Sequence, residues 1–206
     1  MAALAAGCRF GYRPGPPPKV DPGIRVAVLP FWTGGEIDEQ GRFAAATDPP
    51  AMPERLGEDA MRTIITSLLD MGVGAVDVNT MLRATPEPGA AIYGTDLGVR
   101  VGKKVGARYA LVGAVSRYRE RKGSALGVES PASVAYRAVL VEVATGRLVS
   151  TYTFDFTQAP LSEELTQLPE YLQGGGGWQT RRQILDRSLP QTARKVARTL
   201  SAPPVL

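Results

Sequence analysis

Two runs rich in β-branched and aromatic residues, VAYRAVLVEV and LVSTYTFDF, are separated only by Ala144-Thr145-Gly146-Arg147. A link this short leaves no room for a crossover, so the two runs must lie side by side as an antiparallel hairpin. Whatever this chain folds into contains that pair of strands, and the rest must cover it. Upstream, IRVAVLPF is a short apolar run suited to a buried strand, with Val26 and Val28 at its centre and Pro30 at its end. ARYALVGAVSRYRERKG reads as a third long strand.

Helical periodicity fills the gaps between these strands. Leu56, Ala60, Ile64 and Leu68 recur on one face of a helix from about 54 to 71, with Gly72 as its terminator. GVGAVDV suggests a short strand, and NTMLRA a short helix capped by Asn79 or Thr80. Thr95 or Asp96 is expected to cap a helix that runs to Gly106. The last helix, from Trp178 to about Leu200, is expected to bend or divide at Pro190. The order of elements implies an α/β fold, a mixed β-sheet sandwiched or covered by helices, of anticodon-binding-like or TolB-N-terminal-like architecture. Residues 24–206 form one domain, with loop insertions at 32–53 and 158–177.

Composition narrows the chemistry. The 206 residues include no histidine and a single cysteine, Cys8. Serine–histidine and cysteine–histidine nucleophile pairs, histidine bases and cysteine–histidine zinc sites are therefore excluded. No cofactor motif is present: GGGG at 174–177 is not followed by the lysine and hydroxyl of a phosphate loop, and GVGAVDV lacks the dinucleotide fingerprint. A carboxylate-based enzyme has no spacing in its favour, so the chain reads as non-enzymatic. A net charge of +4 is a mild excess, and no basic helix, zinc finger or aromatic single-strand motif accompanies it, which argues against nucleic acid as a partner.

Cys8 closes LAAGC, small residues before a cysteine and an apolar stretch before them, which is how bacterial lipoprotein signals end. Acylation of its thiol and of the new amino terminus gives durable membrane attachment, at about 0.8 kcal/mol per buried CH₂. Residues 9–23, with five prolines, form the semi-rigid tether such an anchor needs. Ala5 stands where leucine is usual, and only seven residues precede the cysteine. An export signal needs a basic start and an apolar region of about 7–15 residues, so residues 1–8 read as the remnant of a longer leader.

Two further features point to binding. Arg117, Arg119 and Arg121 alternate along RYRERK, so their guanidiniums are expected on one strand face, following Tyr109, Leu111, Gly113 and Val115. Trp32, after Phe31 at the end of the first strand, suits a partner contact, while Trp178 is expected to anchor the last helix in the core.

RVAVLPF, EDAMRTIITSLLDMGVGAVDV, GKKVGARYALVGAVSRY and YRAVLVEVATGRLVSTYTFD together resemble the periplasmic α/β domain of the curli-secretion channel lipoprotein (CsgG-like) superfamily. That superfamily includes the lipoprotein activators of penicillin-binding proteins (LpoB-like). The resemblance covers about residues 24–157. It implies an outer-membrane lipoprotein facing the periplasm and working through protein contacts, as adapter, assembly factor or activator in envelope biogenesis or secretion. Its partners would be a cell-envelope protein and, through the lipid, the membrane, with a homo-oligomer as a further possibility. An oligomeric secretion component resembling the curli channel is the alternative. Channel members need membrane hairpins with strands of about 9–11 alternating residues. Neither 117–134 nor 158–177 has that pattern.

Overall fold

The structure is a computed structural model and describes residues 18–46, 51–86, 93–123, 128–158 and 179–201. Cys8, the start of the tether, the glycine run and Trp178 lie outside the described residues.

A five-stranded mixed sheet holds the fold, in the order β4-β1-β5-β8-β9. β1 (Arg25–Val28) pairs parallel with both β4 (Gly74–Ala75) and β5 (Tyr109–Arg119). β5 then pairs antiparallel with β8 (Ser133–Glu142), and β8 with β9 (Leu148–Thr157). The hairpin read from the ATGR turn is present, and Gly146 takes the left-handed conformation, φ 72°, that the turn requires. Val26, Val28 and Leu29 are fully buried because both faces of β1 are covered. Pairing does not stop at Pro30: Trp32 N–H donates to the Gly113 carbonyl at 2.8 Å, and Val115 N–H to the Trp32 carbonyl at 2.7 Å. Proline interrupts one donor of the ladder, and the chain rejoins β5 two residues later.

One face carries α1 (Leu56–Asp70) and α4 (Arg181–Ser201), which pack on each other. The apolar stripe of α1, Leu56, Ala60, Ile64 and Leu68, is buried as its spacing predicts, and Gly72 follows with φ 76°. α4 is one continuous helix, not divided at Pro190. Pro190 is exposed, so the carbonyl it leaves without an amide partner can be hydrated. The helix starts on a capping box that the sequence reading missed. Gln183 N–H donates to Thr180 Oγ1 at 3.2 Å, and Thr180 N–H donates to Gln183 Oε1 at 2.9 Å. Two buried tyrosines of the sheet reach α4, Tyr136 to Thr192 Oγ1 and Tyr152 to Thr199 Oγ1, each at 2.9 Å. Burial raises both phenol pKa values.

The opposite face carries α3 (Thr95–Val105), with α2 (Val78–Ala84) beside it. α3 lies so close to the sheet that a Cβ on Gly98 would sit 2.6 Å from a Val112 methyl. Its N-cap is Gly94, without a side-chain cap, rather than Thr95 or Asp96, and Gly106 closes it in the left-handed conformation. α2 is capped by Asp77, whose Oδ1 accepts from Thr80 N–H at 2.9 Å, rather than by Asn79 or Thr80.

The segment after β1, expected to be a loop, contains a small hairpin. β2 (Gly35–Ile37) pairs antiparallel with β3 (Phe43–Ala45). Asp38 organises its turn: Oδ1 accepts from the N–H groups of Gln40 and Arg42, at 3.0 and 2.8 Å. The Arg42 amide is the main reason this carboxyl titrates below its ordinary value. A second small pair, β6 (Lys122–Gly123) with β7 (Val128–Ser130), extends the β5–β8 hairpin.

Candidate functional site

The site begins with a register shift. Val115 pairs with Tyr136, but Arg117 pairs with Ala135, so Ser116 is an extra residue in β5. Cross-strand partners share a face and consecutive residues do not, so this bulge reverses the side-chain pattern of everything after it. Leu111, Gly113 and Val115 face α1 and α4. Arg117 and Arg119 face the opposite side, and Tyr118 turns toward α4, where the Arg181 guanidinium lies 4.6 Å from its ring centre. The expectation that the arginines continue the apolar face of β5 is therefore corrected. Without the bulge, Arg117 would be directed into the core.

The face that Arg117 and Arg119 share also holds the β2–β3 hairpin, and between them lies a half-open cleft of about 200 Å³. Its lining includes Glu36, Ser116, Arg137, Thr153 and Asp155. Arg137, from the centre of β8, fastens the hairpin to the sheet: NH1 donates to the Ile37 carbonyl at 2.8 Å and Nε to Thr153 Oγ1 at 3.3 Å. Arg117 is ion-paired with Asp155 and also donates to Thr157 Oγ1 at 3.4 Å. Its Nε is buried and has no hydrogen-bond partner among the described residues. Arg119 is exposed and Arg121 half-buried.

Trp32 stands beside this cleft, yet its ring is half-buried rather than free. It packs edge-on to Phe43 at 5.0 Å and against Tyr93 at 5.4 Å, closing an aromatic triangle whose third side, Phe43 to Tyr93, is 5.8 Å. Tyr93 donates its hydroxyl to the Pro30 carbonyl, and burial raises its pKa far beyond the ordinary phenol value. The indole N–H is buried with no partner among the described residues.

The structure thus brings Trp32, Arg117 and Arg119 to one side of the sheet, although β5 carries the arginines away from the triangle. Arg137 and Asp155 were not singled out from the sequence. A charge within VAYRAVLVEV is the signal that could have found Arg137, because a strand buried on both faces carries an arginine only where a specific acceptor awaits it. Chemically, the cleft offers a fixed array of guanidinium and hydroxyl donors with two carboxylates, which suits binding of polar or charged groups. Among the described residues no three metal-ligating side chains converge. No described helix is long and apolar enough to cross a membrane.

No protein-family profile matches the chain, and no curated protein matches it in sequence. Its fold is similar to several solved structures. The PelC dodecamer of Paraburkholderia phytofirmans has 18% identity over 90% of this chain and 94% of that one, with a TM-score of 0.47. Lipoprotein GNA1162 of Neisseria meningitidis has 13% identity over 74% and 94%, also at 0.47. The LpoB C-terminal domain of Salmonella enterica has 15% identity over 66% and 84%, at 0.39. With TM-scores below one half, these likenesses transfer no function.

Proposed function

We propose that this protein is a non-enzymatic, lipid-anchored component of the bacterial cell envelope, acting as an adapter, assembly factor or activator on the periplasmic face of the outer membrane. Cys8 is the attachment atom and residues 9–23 set the reach of the body. The contact surface for an envelope protein is the side of the sheet bearing Arg117 and Arg119, with Arg121 and Trp32 at its margins.

The observation that carries this reading is the bulge at Ser116, which turns two arginines away from the α1–α4 core and onto the face that bears a polar cleft. Bulges are features that re-aim side chains. Inside the cleft Arg137 is engaged with the β2–β3 hairpin; beside it Arg117 is paired with Asp155 of the lining, whereas Arg119 is exposed and has no ion pair among the described residues. Such a rigid platform with an outward charge suits recognition of a second surface.

The test has two arms, both in cells making the protein behind an export leader. Radiolabelled palmitate is expected on the wild type and not on Cys8→Ser, which should be released to the soluble fraction; equal labelling of both would refute the anchor. A photo-crosslinking residue at position 119 is expected to capture a discrete envelope protein, and Arg119→Glu to abolish co-purification of that protein. Crosslinking no stronger there than at exposed Arg83 of α2 would refute the contact surface.

A further inference from the structure

The two ends of the sheet differ in how their charges are used. Toward the end where β1 finishes, Arg42 pairs with Asp38, Arg55 with Glu58, Arg117 with Asp155, Arg181 with Glu120, and Arg182 with both Asp59 and Asp186, while exposed Arg119 and Lys122 have no ion pair among the described residues. At the other end, where the chain comes in to β1, Arg147 pairs with Glu142 at 3.7 Å. Among the described residues, Arg25, Lys103, Lys104 and Arg108 have no ion pair there, and all four are exposed.

Packing gathers these residues. Arg108 N–H donates to the Arg25 carbonyl at 2.9 Å, and Val143 N–H donates to the Arg108 carbonyl at 2.9 Å, which ties the β8–β9 turn to the start of β1. The last turn of α3 joins them, since a Cβ on Gly102 would lie 2.5 Å from a Val143 methyl. Lys103 and Lys104 follow Gly102 directly, and exposed Lys19 lies on the incoming chain. The carboxylates at this end are Asp21, Asp70 and Glu142. The six cations named exceed these three carboxylates by three.

We infer that this end of the domain is a docking surface for anionic lipid headgroups. The inference rests on the reading of Cys8 and residues 9–23 as anchor and tether, because a body tethered through this end presents it to the bilayer. Each Lys or Arg near an anionic surface strengthens binding about fivefold, an effect that fades beyond a Debye length of roughly 10 Å at 0.1 M salt. A basic patch beside an acyl anchor therefore holds the body down at low ionic strength, with the arginine platform of the opposite end directed away from the membrane.

The experiment uses the full chain without acyl groups and vesicles of phosphatidylcholine with or without phosphatidylglycerol. Binding is expected only to the anionic vesicles at low salt, and is expected to be lost in 0.5 M NaCl, a concentration on the order of several-fold physiological ionic strength. The triple variant K103Q/K104Q/R108Q, which removes three cations without adding anions, should stay folded and bind roughly a hundredfold more weakly, from about fivefold for each lost cation. Arg119→Glu combined with Lys122→Glu, two exposed cations of the opposite end, should retain binding. No binding to anionic vesicles, equal loss in both variants, or tighter retention on duplex DNA than on the vesicles would overturn the inference. Because these vesicle measurements use no acyl group, failure of palmitate labelling at Cys8 is scored separately.

Discussion

The two faces of the sheet are built from the same strands and end up unlike each other. On the α1–α4 side, Leu111, Val115, Tyr136 and Leu140 are buried in one apolar cluster with Ile64, Leu185, Leu189 and Val196, and Tyr136 is hydrogen-bonded to Thr192. On the other side α3 covers only the half of the sheet nearest the β8–β9 turn. Beyond it, the short β2–β3 hairpin stands over β5 and β8, and a polar cleft remains. Where a helix supplies a continuous apolar stripe the interior closes; where only a few residues of hairpin do, charged side chains complete the surface. The face that is packed less fully is the one free to contact something else.

That contrast predicts an order of effects. The largest belongs to the helical face: Leu189→Ala, at a site 1% exposed, should lower stability by about 2–5 kcal/mol through lost burial and a cavity, read from urea unfolding. A cost below about 1 kcal/mol would mean that α4 is not the lid of the core.

An intermediate effect follows from the buried polar pair. Tyr136→Phe leaves Thr192 Oγ1 without its partner and should cost about 1–3 kcal/mol, whereas adding Thr192→Val should restore much of the loss. Additive losses in this double-mutant cycle would show that the two hydroxyls act independently.

The smallest effect belongs to the hairpin. Asp38 is depressed in the folded state chiefly by the Arg42 amide, so its contribution is present above the ordinary carboxyl value of 3.8 and is lost as pH falls through the lower folded value. The amide resonances of Gln40 and Arg42 should therefore shift at a pH below 3.8, while those of Ala193 to Leu200 in α4 do not move with them. Asp38→Asn should remove that titration with little change in global stability, since the carboxylate is exposed. Concerted movement of both faces would dissolve the distinction between them.

Much of this architecture is legible from local pattern. The ATGR turn specifies its hairpin because four residues permit no other connection, and the stripe from Leu56 to Leu68 specifies α1 because its period matches the helix. Errors fall where a few tenths of a kcal/mol separate alternatives, as in the choice of cap between Asp77 and its neighbours. Pro190 misleads for a different reason: α4 gains enough from burying Leu185, Leu189, Val196 and Leu200 that one missing hydrogen bond on the wet side does not end it.

The candidate site was less legible. Alternation along RYRERK places its arginines on a shared face whatever the register, but which face depends on how many residues precede them in the ladder. Ser116 carries no mark of being the extra residue; it becomes one because Tyr136 must keep its place opposite Val115 while Ala135 meets Arg117. The charge of the opposite end is similarly dispersed in the chain, from Lys19 to Arg147, and becomes a patch only when α3, β1 and the β8–β9 turn converge.

By itself the sequence determined the strand pairing around the ATGR turn, the helical stripes, the absence of histidine chemistry, and the cysteine ahead of a proline-rich run, because each depends on residues close together in the chain. Tertiary structure alone decided which way Arg117 points, which cations lack partners, and where the sheet is left uncovered. Those depend on cross-strand register and on how far each covering element reaches, quantities set by contacts between residues a hundred or more positions apart, such as Arg137 with Ile37 and Arg182 with Asp59.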